Sequence, residues 1–127
     1  FQPYRVYRTR DLRQQIAAAL AIADEVVVLE VFGPGETREP GDGGLALTEA
    51  IPLPAERKIF LPSVADVPAE IVRRARPGDV VVTMGAPPIS LLGDELLTAL
   101  RAHAASTSAA GTATAVEPAG GAALGVG

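Results

Sequence analysis

A chain of 127 residues, 48% apolar and with a formal net charge of −4, can build one modest core. It carries too little positive charge for a general nucleic-acid or anionic-membrane surface. With no cysteine and one histidine, disulfides, thiolate metal sites and imidazole clusters are excluded, a usage compatible with the cytosol. No apolar run approaches a membrane span, and nothing in these residues resembles a secretory signal.

The opening stretch Phe1-Gln2-Pro3-Tyr4-Arg5-Val6-Tyr7-Arg8-Thr9-Arg10-Asp11 reads as the end of a strand running into a helix. Pro3 holds the residue before it extended. Thr9 is the expected N-cap and Asp11 suits a first turn. Leu12, Ile16, Ala19 and Leu20 then recur at helical spacing, predicting a helix to about Asp24. The arginines crowd a helix start, where cations are misplaced unless an anion joins them; carboxylate or phosphate is the chemistry that fits. The alternative is that these arginines are solvated or pair with Asp11 and Glu25.

Glu25 to Phe32 is a β-branched run suited to a strand buried on both faces of a parallel sheet. Gly33 to Gly44, with five Gly and two Pro, is a loop. Leu45 to Ile51 predicts a short helix, and Lys58-Ile59-Phe60-Leu61 a second strand. Ser63 or Asp66 caps the next helix, in which Pro68 is tolerated in the first turn and Ile71 and Val72 face inward. Asp79 to Met84 predicts a third strand and Gly85-Ala86-Pro87-Pro88 a turn. Ser90 then caps a final helix to about Ala102, with Leu91, Leu92, Leu96, Leu97 and Leu100 as its apolar face. The Ala/Gly/Ser/Thr-rich stretch 104–127 has few large side chains to bury and is expected to be disordered. Alternating helices and strands imply an α/β fold with a mostly parallel sheet and helices on both faces.

Phe-Gln-Pro-x-Arg-x-x-Arg-Thr at residues 1–9, Gly35-Glu36, Pro77-Gly78-Asp79 and Thr83-Met84-Gly85-Ala86 occur in one order. In this they resemble the C-terminal domain of the Mur ligases, most of all the branch that adds L-alanine. The resemblance implies a Rossmann-like three-layer α/β/α domain over residues 1–103, truncated at its N-terminal helix and first strand, with 104–127 as a tail. The start at Phe1, without an initiator Met, reads the same way, and so truncated the domain is expected to be marginally stable or prone to aggregate.

The resemblance further implies a cytoplasmic ATP-dependent ligase joining L-alanine to UDP-N-acetylmuramate through an acyl phosphate in peptidoglycan precursor synthesis. ATP and Mg2+ would be held mainly in upstream Mur domains. Arg5 and Arg8 would then hold the alanine carboxylate, with Tyr4 in place of a family His and Glu36 matching a family acid. Gly85 and Ala86 would meet the nucleotide, although Pro87-Pro88 stands where the family has Gly-Asp, each proline removing an N–H donor. No residue is assigned as catalytic or as a metal ligand, and there is no Gly-x-x-x-x-Gly-Lys-Ser/Thr loop in the chain. The competing readings are a non-catalytic α/β module binding a small anion or nucleotide, or docking a partner protein, and a diverged Mur-like ligase with altered amino-acid choice.

Overall fold

The computed structural model describes residues 1–113. Its helices are α1 (Val6–Asp11), α2 (Arg13–Leu20), α3 (Gly44–Ala50), α4 (Val67–Arg74) and α5 (Gly93–Ala113). Strands β1 (Val26–Leu29) and β2 (Lys58–Leu61) pair in parallel, from Val26 opposite Lys58 to Leu29 opposite Leu61. This is an α/β arrangement built on a small sheet.

The period-two alternation of β1 divides the core between two faces. Val26 and Val28 pack with Ala17, Leu20, Leu47 and Ile51 from α2 and α3. Leu29 packs with Val67, Ile89, Leu92 and Leu96 beside α4 and α5. Helices therefore cover both sides of the sheet, as the alternation in sequence requires.

Glycine decides how closely α3 approaches β1. A Cβ on Gly44 would collide with the Leu29 carbonyl and lie 2.9 Å from the Phe60 ring. Gly44→Ala is therefore expected to push α3 off the sheet and cost at least about 1–3 kcal/mol, as overpacking does. A fall in the urea midpoint checks this, and an unchanged midpoint would show that α3 can shift freely.

Several expectations need correcting. Thr9 is not an N-cap: it lies buried inside α1, its hydroxyl donating to the Arg5 carbonyl at 2.9 Å. The first helix is broken at Leu12 (φ −106°, ψ 15°) and ends at Leu20, short of Asp24, so Asp11 closes α1 rather than opening a helix. Ser63 caps a 3₁₀ turn, accepting from the Ala65 amide, while Asp66 precedes α4 without a side-chain cap. A 3₁₀ turn occupies Ile89–Leu91, and α5 opens at Gly93. On its apolar side Leu92 and Leu96 are buried, whereas Leu91 and Leu97 are exposed.

Residues 104–113, expected to be disordered, continue α5. Alanine is the strongest helix former, so a run rich in it can extend a helix that is already nucleated, without burying anything. The rest of the expected tail, 114–127, lies outside the described residues. Finally, Asp79–Met84 forms no strand; Val80 and Val82 are 86% and 65% exposed.

Charge ties α4 to the start of β1. Arg73 and Arg74 both bond Glu70, and Arg74 also reaches Glu25 at 2.6 Å. Hydrogen bonds from Arg73 and then Arg74 pull the Glu70 carboxyl down to about 2. A lowered folded pKa means that its contribution is complete above about 4.5 and is lost as pH falls towards 2. Partial exposure keeps it to about 0.3–1 kcal/mol. Glu70→Gln should therefore destabilise the chain at pH 7 and make no difference near pH 2, which paired urea melts would read.

Candidate functional site

The site is built where parallel backbone segments end. Phe32 N–H donates to the Pro3 carbonyl and Arg5 N–H to the Phe32 carbonyl, both at 2.9 Å. Gln2 N–H donates to the Met84 carbonyl, also at 2.9 Å. Tyr4 thus bridges to Phe32, and Gln2 to Gly85, both in parallel sense. Residues 1–4 lie between the continuation of β1 and the 84–85 segment, and all run outward to one rim. Such carboxyl ends are where α/β proteins place their ligands.

Arg5 sits on that rim in an unusual backbone state. Its φ is +70°, the one positive φ of a non-glycine among the described residues. That conformation costs about 1–3 kcal/mol and persists only where neighbours impose it. Here the amide is held by Phe32, while the carbonyl accepts from both Thr9 N and Thr9 Oγ1. Buried Thr9, rather than capping a helix, locks Arg5.

The Arg5 guanidinium lies over the Tyr4 ring at 5.6 Å and near Glu36, at 3.8 Å from its carboxylate. Tyr4 and Phe32 stack at 6.2 Å between centroids. Glu36 also accepts from the Val6 amide at 3.1 Å, so the first turn of α1 is met by an acid of the chain itself. The free helix start expected for an incoming anion is therefore occupied, and the guanidinium groups are what remains for a ligand. Gly33 makes this possible, since a Cβ there would stand 2.6 Å from the Glu36 oxygen and 2.8 Å from Val6 Cγ2. Sequence reading passed over Gly33; its place four residues after the β1 run, in Phe32-Gly33-Pro34-Gly35-Glu36, was the available signal.

Arg8 follows one turn later on α1, is exposed, and has no ion-pair partner among the described residues. Arg8 thus lies in the first turn of α1, three residues after Arg5, which precedes the helix. Arg10 and Arg13 are spent differently: both approach nearly buried Asp42, at 3.8 and 4.0 Å, and Arg13 donates to the Gly41 carbonyl at 2.6 Å. They anchor the far end of the 33–43 loop.

Glu30 fastens the same loop. It accepts from the amides of Val31 and Gly44 at 2.9 and 2.8 Å and pairs with Arg38 at 2.5 Å. Burial raises its pKa, but the Gly44, Arg38 and Val31 bonds outweigh that and leave it below the usual carboxylate range. The loop that presents Glu36 is therefore braced at both ends.

Gly85 adopts φ +140°, and a Cβ there would lie 2.6 Å from the Gln2 carbonyl and 2.7 Å from Ile89. Its compactness is used by the chain's own backbone. Ala86, half-buried, is next to it on the rim. Among the described residues no group of three or more His, Cys, Asp or Glu could hold a metal ion, so no step through Mg2+ is derived for this chain. Among them, too, no helix is long and apolar enough to cross a membrane.

No protein-family model matches the chain. Among curated proteins it is 68% identical over 107 residues to the UDP-N-acetylmuramate–L-alanine ligase of Salinispora arenicola, and 67% over 106 residues to that of Salinispora tropica. Each match takes in 84% of this chain and 21% of the relative. The ligase of the same name from Acidothermus cellulolyticus is 54% identical over 102 residues, 80% of this chain and 21% of the relative. The chain spans about a fifth of the length of the curated relatives it matches.

Proposed function

We propose that this chain, which belongs with the Mur ligases and is most like their UDP-N-acetylmuramate–L-alanine members, is the amino-acid-binding part of such a ligase. It corresponds in this reading to a C-terminal, Rossmann-like three-layer domain over residues 1–103, incomplete at its N-terminus, working in the cytoplasm with upstream Mur domains. The observation that supports it best is Arg5, held in a strained backbone state at the strand tips, with exposed Arg8, which has no ion pair among the described residues, in the helix turn that follows. Strain of that kind gathers at binding sites.

The chemistry of the rim matches an amino-acid zwitterion. Two guanidinium groups complement a carboxylate, and charge-assisted donors of this type bind it about twice as strongly as neutral ones. Glu36 supplies a negative charge 3.8 Å from Arg5, on the side where an ammonium group would be favoured. Tyr4, under the Arg5 guanidinium, offers a phenol that can donate or accept but carries no charge near neutral pH. In the full reaction the lactyl carboxylate of UDP-N-acetylmuramate is activated by ATP as an acyl phosphate. The alanine nitrogen then bonds to that carbonyl carbon as phosphate leaves.

This chain's share is to fix the amine in line, the entropic part of catalysis. ATP and Mg2+ are held mainly by the other domains. Gly85 and Ala86 contribute at most a backbone lip towards the nucleotide, since the space at Gly85 is taken by Gln2. Exchanging the matching segment of the Salinispora arenicola ligase for this chain tests the assignment. ATP-dependent ligation of L-alanine should persist in the chimera; a soluble, folded chimera without it would overturn the reading.

A further inference from the structure

Thr9 and Val6 are the two residues that α1 buries, Thr9 being only 2% exposed. A threonine hydroxyl on a helix commonly donates to the carbonyl four residues back. Thr48, Thr98 and Thr107 do so here, towards Gly44, Asp94 and His103. Each of those three acceptors belongs to a helix. Thr9 differs in its acceptor: Arg5 lies outside α1, and its φ of +70° is shared by no other non-glycine among the described residues.

We propose that Thr9 is a positioning residue for amino-acid binding. Its hydroxyl, acting through the Arg5 carbonyl, holds the Arg5 guanidinium at the rim and so sets the affinity for the amino-acid carboxylate. This rests on the reading of Arg5 as a carboxylate ligand.

The Arg5 backbone is gripped from two directions. Its amide donates to the Phe32 carbonyl at 2.9 Å, and its carbonyl accepts from Thr9 N at 3.1 Å and from Thr9 Oγ1 at 2.9 Å. Two of these bonds join backbone to backbone and survive any side chain at position 9. The hydroxyl bond is the one that depends on the residue being threonine. A left-handed backbone persists at a non-glycine only where its neighbours over-determine it. Losing one of three bonds therefore lets Arg5 relax towards an ordinary φ. Its side chain leaves from the Cα between the gripped amide and carbonyl, so rotation there swings the guanidinium away from Tyr4, Pro34 and Glu36. Thr48 provides the control. It makes the same bond at 2.8 Å and is 5% exposed, but on α3, which contributes no residue to the rim.

The test compares Thr9→Val, Thr9→Ala and Thr9→Ser with Thr48→Val in the complete ligase. Thr9→Val and Thr9→Ala both lack the hydroxyl. Each should raise the KM for L-alanine by about five- to tenfold, with kcat and the KM for ATP held within about twofold. Thr9→Ser should restore the alanine KM, and Thr48→Val should lower the urea midpoint while leaving that KM unchanged. In an Arg5→Ala background Thr9→Val should raise the alanine KM no further, because the two residues act as one unit. If Arg5→Ala raises the alanine KM while Thr9→Val and Thr9→Ala match the unsubstituted enzyme, the proposal is overturned and the reading of Arg5 stands. Costs that add in the double variant, or an equal rise in Thr48→Val, would overturn it in the same way, since a bond that only supports the fold behaves so. An alanine KM unmoved by Arg5→Ala would overturn that reading and the proposal with it.

Discussion

Arg8→Ala in the complete ligase is expected to raise the KM for L-alanine by about 30-fold to several hundred-fold, leaving the KM for ATP nearly unchanged. The figure follows from losing one partner of a charge-assisted carboxylate contact, about 2–4 kcal/mol. Arg8 is suited to so clean an effect because it is exposed and bears no ion pair among the described residues, so its removal leaves no buried partner unsatisfied. Arg5→Ala should cost at least as much, but less selectively. Its side chain also touches Tyr4, Pro34 and Glu36, so the rim itself would relax. Steady-state kinetics with alanine and ATP varied separately checks both. An Arg8→Ala enzyme with unchanged alanine kinetics would remove the carboxylate from this helix.

Leu47→Ala is expected to produce the largest loss of stability, about 2–5 kcal/mol. Leu47 is fully buried, on the α3 face that meets Val28, Leu20 and Ile51. Truncation there leaves a void between α3 and β1 that neither a two-stranded sheet nor a seven-residue helix can close by moving. Domains of this size are stable by only about 5–15 kcal/mol, so the variant should be partly unfolded at ordinary temperatures. Leu97→Ala is the matched comparison: it is 49% exposed on α5 and should change the unfolding free energy by no more than about 0.5 kcal/mol. Similar losses for the two would mean that the α3 face is not the core.

Much of this was legible in the residues. The Val26–Leu29 and Lys58–Leu61 strands, the short helix after the glycine-rich loop and the Pro68 helix all stand where their composition put them. Local signals suffice when an element's partners are present. What was not legible depended on tertiary pairing. Residues 79–84 have the sequence of a strand, but propensity cannot create the ladder partner they lack. Thr9 follows the rule for a helix cap, yet the chain turns four residues earlier because Phe32, across 27 positions of sequence, seizes the Arg5 amide.

The site divides in the same way. Arginines at a helix start announced an anion, but they could not announce that Glu36 would supply one from a distant loop. That required Gly33 to leave room and Glu30, Arg38, Asp42 and Arg13 to brace the loop, relations carried by no periodicity. Residues 104–113 depart in the other direction: their low burial suggests disorder, although a helix already under way needs only propensity to continue.

The most direct test of the carboxylate contact is the ratio of kcat/KM for L-alanine to that for L-alaninamide, measured in the complete ligase with Arg8 intact and with Arg8→Ala. If Arg8 grips the carboxylate, the intact enzyme prefers alanine strongly and the variant loses most of that preference, the amide being nearly indifferent to the substitution. A preference of the same size in both enzymes would contradict the account.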